Sequence, residues 1–248
     1  MTRIKKIVAT GSFFAVLILL STSCTKEGPG GNSTIRGKIT VQTWDKEFRV
    51  QQASYPAADE DVFIIYGTGD AVSDRVRTSY DGTFRFRFLN KGDYKLFVYS
   101  DDPQGTHPAG VIPFEKTVTL ASGHETVDAG EFVIYKGLDV NDGHATITGR
   151  VYQIDYAKNF LYIIDTTYAV ETPVYLVYEN DPTYSRRVRT LDDGTVAFPN
   201  LIMGNYKVIA YADDMSDNGA KVPKTRYVTV TSPDGSVDFG NIYIEIKK

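Results

Sequence analysis

An eleven-residue stretch that occurs twice is the feature that most constrains the fold of this chain. GDYKLFVYSDD occupies residues 92–102 and GNYKVIAYADD occupies residues 204–214, an offset of 112 positions. The same offset relates RVRT at 75–78 to RVRT at 187–190. Self-similarity of this extent is typical of a duplicated unit, and a unit of about 100 residues has the size of a domain. The sequence therefore predicts two copies of one domain.

The repeated segments have the pattern of short β-strands. Tyr94, Leu96 and Val98 occupy every second position and are predicted to face the core, whereas Phe97 is predicted to face outward. Turn sequences such as the Asp-Gly pair at 81–82 separate the strands, and no segment after the first 24 residues has the 3.6-residue period of a helix. The fold class predicted is all-β, with two tandem seven-stranded antiparallel β-sandwiches. Tyr94 and its copy follow a glycine turn and are expected to bond nearby backbone as tyrosine corners.

The N-terminus has the pattern of a secretion signal. Basic residues precede an apolar run at 7–20, which is shorter than the roughly 20 residues of a spanning helix. The run ends in LLSTSC, which resembles the signal of a bacterial lipoprotein and implies a lipid on Cys24, the one cysteine of the chain. An ordinary cleaved signal that leaves a free thiol is the alternative. The predicted divisions are a signal peptide at 1–23, a Gly-rich tether at 24–33, a first domain at 34–136, a linker at 137–144 and a second domain at 145–248.

Charge and composition argue against several function classes. The formal charge is -4, and removal of residues 1–23, which hold three cations and no acid, makes it -7, so nucleic acid is not expected as a partner. The acidic pairs at 101–102 and 213–214 are expected to be solvated loop carboxylates; a calcium site there, with Asp217 and Asn218, is the alternative. No catalytic constellation is recognisable, so no enzyme activity, cofactor or metal is predicted.

Several short motifs resemble those of a known module family. The pattern I-x-G-x-V, DGTF, G-x-Y and a closing VDxGxxxI is similar to the transthyretin-like, carboxypeptidase-regulatory-like modules of secreted bacterial proteins, including Bacteroides-type lipoproteins. The resemblance implies a noncatalytic spacer, stalk or binding module. In related pilin repeats a Glu after the G-x-Y strand promotes an internal isopeptide bond. Val98 and Ala210 stand at these positions here, so no such bond is expected.

Two long aromatic insertions are the main departure from that family. They cover residues 42–61 and 153–172, and loops of this length are usually functional unless they form structure of their own. One interpretation is an extra hairpin in each copy that covers outward aromatic residues such as Phe97. The other is a ligand platform that stacks on sugars or holds a partner. The platform residues would be Trp44, Phe48, Tyr55, Tyr156, Phe160, Tyr162 and Tyr168.

Three functions are compatible with these patterns. The preferred one is a noncatalytic, lipid-anchored binding or scaffold protein of the cell envelope, held in the outer membrane with a periplasmic or cell-surface face. A fimbrial anchor or minor pilin is the second, and it requires an open sheet edge that accepts a donated strand. A glycan-binding lipoprotein of a polysaccharide uptake system is the third. The expected partners are the membrane, through the lipid, and a protein or a glycan.

Overall fold

The computed structural model describes residues 28–158, 161–216 and 219–248, and the regular secondary structure among these residues is all β-strand, joined by turns and loops. None of these residues forms a helix that could span a bilayer. The first eight strands are β1 (Pro29–Asp45), β2 (Gln51–Pro56), β3 (Asp61–Tyr66), β4 (Asp74–Arg77), β5 (Thr83–Leu89), β6 (Gly92–Asp101), β7 (Val111–Leu120) and β8 (Thr126–Leu138). The next eight are β9 (Ala145–Tyr156), β10 (Ile163–Tyr168), β11 (Pro173–Tyr178), β12 (Arg186–Arg189), β13 (Thr195–Leu201), β14 (Gly204–Asp213), β15 (Lys221–Val230) and β16 (Ser236–Lys247).

Strands β1–β8 form a first sandwich and β9–β16 a second sandwich of the same topology. In the first, one sheet has the order β4-β3-β6-β7 and is antiparallel throughout. In the other sheet the long β1 pairs with β5 and β2 on one side and with β8 on the other. The second sandwich repeats both sheets, with β9 in the place of β1 and β16 in the place of β8. The prediction of tandem sandwiches is confirmed.

The topology corrects two details of that prediction. Each sandwich has eight strands rather than seven, because each long insertion supplies an additional strand, β2 or β10. One pair in each sandwich, β1–β8 or β9–β16, is parallel. The reason is that the connection before β8 crosses from one sheet to the other and returns the chain beside β1 in the same direction.

Each sandwich has its own apolar core. Tyr94, Leu96 and Val98 lie in the first core and are fully buried, as their alternation predicts. Phe97, predicted to face outward, is only 6% exposed, because it stacks on Phe63 with ring centroids 5.0 Å apart and packs against Tyr99. Phe97 is therefore covered by aromatic neighbours in its own sheet, whereas Tyr99 on the same face of β6 is half exposed. The prediction that this face is wet is wrong at Phe97.

Both predicted tyrosine corners are present. The Tyr94 hydroxyl donates to the Asn90 carbonyl at 2.8 Å and accepts the Gly28 N–H at 3.0 Å. The Tyr206 hydroxyl donates to the Ile202 carbonyl at 2.8 Å. Each buried phenol is thereby satisfied and fixes the turn that enters the central strand.

The insertions and the tether differ from the sequence-based expectations. Each insertion does form a hairpin, β1–β2 or β9–β10, but the hairpin extends the mixed sheet and leaves Tyr99 of the opposite sheet half exposed. Residues 29–33, expected in the flexible tether, belong to β1. The Gly28 carbonyl accepts the Asn90 N–H at 2.9 Å, so the chain is bonded to the first sandwich at a position four residues after Cys24.

The two sandwiches meet end to end. The Gln52 Nε2 donates to the Met203 carbonyl at 3.0 Å, and its Oε1 accepts the Met203 N–H at 2.6 Å. The carboxylate of Asp45 is buried, accepts two backbone N–H groups of its own hairpin, and lies 3.4 Å from the Tyr178 hydroxyl. The Arg49 guanidinium lies over the Tyr178 ring, 5.5 Å from its centroid. Burial, followed by the charge of Asp45, raises the pKa of Tyr178, so its hydroxyl remains a neutral donor.

Candidate functional site

A cavity of about 530 Å³ in the first sandwich contains part of the predicted aromatic platform. It lies between the β1–β2 hairpin, the β6–β7 loop and strands β7 and β8. Its size is within the range of small-ligand sites. The lining residues are Trp44, Phe48, Asp102, Pro103, Gln104, Thr106, Ile112, Phe114 and Tyr135.

The apolar wall of the cavity is mainly aromatic. Phe114 and Tyr135 pack edge to face with ring centroids 6.1 Å apart. The Nε1 of Trp44 is buried and has no hydrogen-bond partner among the residues that the structure describes. A buried donor without a partner is unfavourable, so packing alone does not explain an indole at this position. Aromatic rings with a few polar neighbours form the kind of surface that binds the apolar face of a sugar.

The polar side of the cavity is an ordered loop built on Asp102. The Asp102 carboxylate accepts the backbone N–H groups of Gln104, Thr106 and His107 at 3.0, 2.7 and 2.7 Å. These bonds, the one from His107 first, hold the pKa of Asp102 below its usual value despite desolvation. The carboxylate is therefore committed to shaping the loop. Gln104 and Thr106 remain as neutral side chains at the cavity rim.

The second sandwich has different chemistry at the equivalent positions. In the first sandwich Phe114 pairs with Val98 across β6–β7; Lys224 pairs with Ala210 in the copy. Tyr135 is likewise replaced by Glu245, which is aligned with β9 as Tyr135 is with β1. Lys224 Nζ lies 2.8 Å from Glu245 Oε2, a charge contact without hydrogen-bond angles. The aromatic pair is therefore a property of the first sandwich alone.

The structure divides the predicted platform residues among several places. Trp44 and Phe48 line the cavity, whereas Tyr55 is on β2 with half of its surface exposed. In the second sandwich Tyr156 is partly buried at the end of β9, and Tyr168 packs on Tyr152 with ring centroids 5.4 Å apart. Phe160 lies outside the described residues. The two insertions therefore do not build one common platform.

The tip of the β9–β10 hairpin is an exposed apolar surface. Tyr162, Ile163 and Ile164 are 63%, 54% and 56% exposed. Their counterparts in the first sandwich, at 50–52, belong to the hairpin that contacts the second sandwich at the junction. Consecutive exposed apolar residues of this kind are characteristic of interaction sites.

Some residues of the cavity were not found from the sequence. Phe114, Ile112 and Tyr135 lie 50 or more positions after the insertion, and only the tertiary fold brings them to Trp44. The sequence nevertheless contained a signal, because the second copy has a lysine at the position equivalent to Phe114 and a glutamate at the position equivalent to Tyr135. Positions that differ in chemistry between two copies of one fold are those that the fold does not dictate.

The structure bears little on two other predicted sites, the lipidation site and the calcium site. Cys24, Asp217 and Asn218 lie outside the described residues. Within the ranges that the structure does describe, no group of three or more His, Cys, Asp or Glu side chains is placed to hold a metal ion. Asp213, in the second acidic pair, accepts the Lys247 N–H at 2.7 Å and contacts Lys221.

Comparison with known proteins gives distant structural similarity only. No family model and no curated protein matches the chain. The Bacillus anthracis TIE protein is similar over 83% of this chain and 34% of its own, with 11% identity and a TM-score of 0.27. GBS52, the minor pilin of Streptococcus agalactiae, is similar over 86% of this chain and 96% of its own, with 14% identity and a TM-score of 0.29. A fimbrial protein from Bacteroides ovatus is similar over 89% and 50%, with 8% identity and a TM-score of 0.23. Similarity at this level does not transfer the role of any of these proteins to this chain.

Proposed function

We propose that this chain is a noncatalytic, lipid-anchored scaffold protein of the cell envelope, in which two sandwiches form a stiff stalk. The observation that carries the proposal is the end-to-end junction. Gln52 exchanges two hydrogen bonds with the backbone of Met203, and Arg49 reaches both the Tyr178 ring and the Asp181 carboxylate, 3.7 Å away. Polar bonds with fixed directions at a partly buried site hold one relative orientation better than a flexible linker does.

The proposed anchor lies at the opposite end of the stalk from the exposed hairpin tip. The LLSTSC motif supports a lipid on Cys24, and Gly28, four residues later, lies beside the β5–β6 turn of the first sandwich. The β9–β10 tip, with Tyr162 and Ile163, lies at the other end of the second sandwich. A stalk of this kind holds an apolar surface away from the membrane, where a partner protein can bind it. The outer membrane is the proposed location.

Metabolic labelling and fractionation test the anchor directly. Cells that express the full chain are fed a palmitate analogue, and the protein is examined for label and for its distribution between membrane and soluble fractions. The expected result is a labelled membrane protein that becomes unlabelled and soluble in the Cys24→Ser variant. Label that persists in this variant, or an unlabelled wild-type protein, would contradict the lipid anchor.

Partner binding at the hairpin tip has its own test. A photo-crosslinking residue at position 163 should capture an envelope protein in living cells, whereas the same residue at Tyr55, on the equivalent hairpin of the first sandwich, should not. Capture of the same protein from both positions would indicate a non-specific encounter and would argue against the tip as the binding site.

Glycan binding is a second candidate, and the aromatic cavity of the first sandwich favours it. The test is a glycan array with the wild-type protein and with Trp44→Ala, which removes the indole from the cavity wall. Tyr156→Ala is the matched control, because Tyr156 occupies the same repeat position beside the Lys224–Glu245 contact. Binding that is lost in both variants, or in neither, would contradict a glycan site in this cavity.

The fimbrial alternative receives less support from the sheet edges. Strand donation needs free backbone groups on an edge strand. The ammonium of Lys116, on β7, donates to two carbonyls of the edge strand β8, those of Ala129 and Glu131, at 3.0 and 2.7 Å. In the second sandwich Arg226 donates to the Asn241 carbonyl of β16 at 3.1 Å. Charged side chains that occupy edge carbonyls protect a sheet against an added strand.

A further inference from the structure

The second sandwich contacts the first through one of its ends. Because the two sandwiches have the same fold, the first sandwich has an equivalent end. In the second sandwich, the turn between β13 and β14 carries Met203 and contacts Gln52. The equivalent turn of the first sandwich, between β5 and β6, faces away from the junction. We call four exposed residues beside this turn the Phe88 patch: Arg85, Arg87, Phe88 and Lys91; the acidic Asp93, at the start of β6, is exposed nearby. At the same repeat positions the second sandwich has Ala197, Pro199, Asn200 and Met203.

Phe88 is not explained by the requirements of the fold. It has a φ of 61°, in the left-handed region, and 66% of its surface is exposed. Asn200 has nearly the same backbone conformation, with a φ of 59°. Asparagine tolerates this region, whereas a bulky aromatic residue is strained there. A strained, exposed phenylalanine where the copy has asparagine therefore indicates a function for its side chain.

The patch is basic although the protein as a whole is acidic. Arg85 and Arg87 project from the outer face of β5, and neither has an acidic partner among the described residues. Arg85 lies directly across from Arg36 of β1, and Arg36 is itself paired with Asp128 at 3.3 Å, whereas Arg85 has no such ion pair among the described residues. The repeat replaces both arginines with uncharged residues. The net charge of the chain is negative, and the outer face of β5 is a local exception.

The position of the patch relates it to the membrane. Gly28 is fixed to Asn90 and Tyr94, at the same turn as the patch. Cys24 is four residues earlier, and four extended residues span at most about 14 Å. A lipid on Cys24 therefore keeps Gly28, which is bonded to the turn beside the patch, within about 14 Å of the lipid attachment point.

We propose that the Phe88 patch docks on an anionic phospholipid surface, with Arg85, Arg87 and Lys91 at the phosphates and Phe88 among the headgroups. This contact is a second attachment beside the lipid, and it sets the orientation of the stalk on the bilayer. The choice of a membrane as the occupant rests on the proposed lipid anchor. Cations beside a bilayer and an aromatic ring at the interface both contribute to such binding.

A second copy of this chain fits the patch less well. At the junction, Asp45 and Gln52 of the first sandwich contact the second sandwich. The second sandwich has Ala157 and Ile164 at these positions, so these two positions offer no matching polar side chains to a following molecule. End-to-end assembly through the patch would therefore lack the bonds that hold the internal junction.

Co-sedimentation with vesicles tests the proposal without the lipid. The protein is the chain from residue 24 onward with Cys24→Ser, which contains every described strand. Vesicles of phosphatidylglycerol and phosphatidylcholine should bind it in a salt-sensitive manner, and vesicles of pure phosphatidylcholine should not. Arg85→Ala with Arg87→Ala should lower the partition coefficient about 25-fold, since each such cation contributes about fivefold. Phe88→Asn should lower it about tenfold.

Matched variants separate binding from folding. Phe88→Asn introduces the residue of the other copy and should not lower the melting temperature. Arg187→Ala with Arg189→Ala removes the same number of exposed charges from β12 and should leave vesicle binding unchanged. Equal losses in the two arginine double variants would overturn the proposal, as would equally tight binding to soluble polyglutamate. Concentration-dependent self-association that is lost with Phe88→Asn, without vesicle binding, would identify a second copy as the occupant.

The vesicle assay and the palmitate assay fail independently. Vesicle binding by the Cys24→Ser protein supports the patch even if Cys24 proves to carry no lipid in cells. If the wild-type protein is lipidated in cells but the Cys24→Ser protein does not bind anionic vesicles, the lipid anchor is supported and membrane docking by the Phe88 patch is refuted.

Discussion

The Gln52→Ala substitution is the sharpest test of the stiff stalk. It removes both hydrogen bonds that the Gln52 amide exchanges with the Met203 backbone, at 3.0 and 2.6 Å, and also a bond to the Val50 carbonyl at 3.1 Å. A hydrogen bond contributes about 0.5–1.5 kcal/mol net, so the two bonds across the junction should contribute about 1–3 kcal/mol to the coupling between the sandwiches. Each kcal/mol lowers the melting temperature of a domain of this size by about 4–8 °C.

Scanning calorimetry and small-angle X-ray scattering measure the two consequences. The less stable sandwich should melt at a lower temperature in Gln52→Ala, and the scattering profile should show a broader range of interdomain orientations. Gln51→Ala is the matched control, because Gln51 is the adjacent exposed residue of the same type on the other face of β2. Surface substitutions of this kind change the free energy of unfolding by less than about 0.5 kcal/mol.

Two results would refute the reasoning. If Gln51→Ala and Gln52→Ala lower the melting temperature equally, the effect comes from the strand rather than from the junction. If Gln52→Ala changes neither the melting temperature nor the scattering profile, the amide does not couple the sandwiches, and the stalk lacks the rigidity on which the proposed function depends.

Three further predictions concern the first sandwich. Leu96→Ala should lower the free energy of unfolding by about 2–5 kcal/mol, because Leu96 is fully buried, whereas Tyr99→Ala on the exposed face should cost much less; urea titration of both variants checks the assignment of the faces. Tyr94→Phe removes the hydroxyl between Asn90 and Gly28 and should cost about 1–3 kcal/mol, with faster amide exchange at Gly28 as the specific sign. The lowered pKa of Asp102 means that its carboxylate stabilises the fold above its ordinary pKa of about 4, and this contribution is lost as the pH falls through the lower folded value. Asp102→Asn should therefore be less stable than wild type at pH 7, and this difference should narrow as the pH is lowered below the ordinary pKa; a difference that does not change with pH would contradict the assigned role.

Local patterns in the sequence predicted much of each sandwich. The period-two alternation around Leu96 identified the core face correctly, because alternate residues of a strand point to opposite sides. The glycine before Tyr94 marked the corner, and Asp81-Gly82 marked a turn in which Gly82 has a φ of 77°. The repeat added the domain plan, since two copies of one pattern must fold alike. The alternation placed Phe97 on the outer face correctly but did not reveal that aromatic neighbours such as Phe63 cover its side chain there.

Other features depend on segments that are far apart in the chain. The parallel pairing of β1 with β8 and the cavity between Trp44, Phe114 and Tyr135 join residues separated by 70 to 93 positions. No local periodicity encodes such contacts, because they depend on how the sheets stack and on the direction in which the chain returns.

By itself the sequence determined the strands, their buried faces and the duplication, because short-range sterics and the exclusion of apolar side chains from water act on neighbouring residues. Only the tertiary structure decided how the two copies come to differ. It joins one end of the second copy to the first through Gln52 and leaves the equivalent end of the first copy, with Phe88, uncovered. The physical reason is that a repeated domain presents the same surface twice, and the neighbour of each copy determines whether that surface is buried or free.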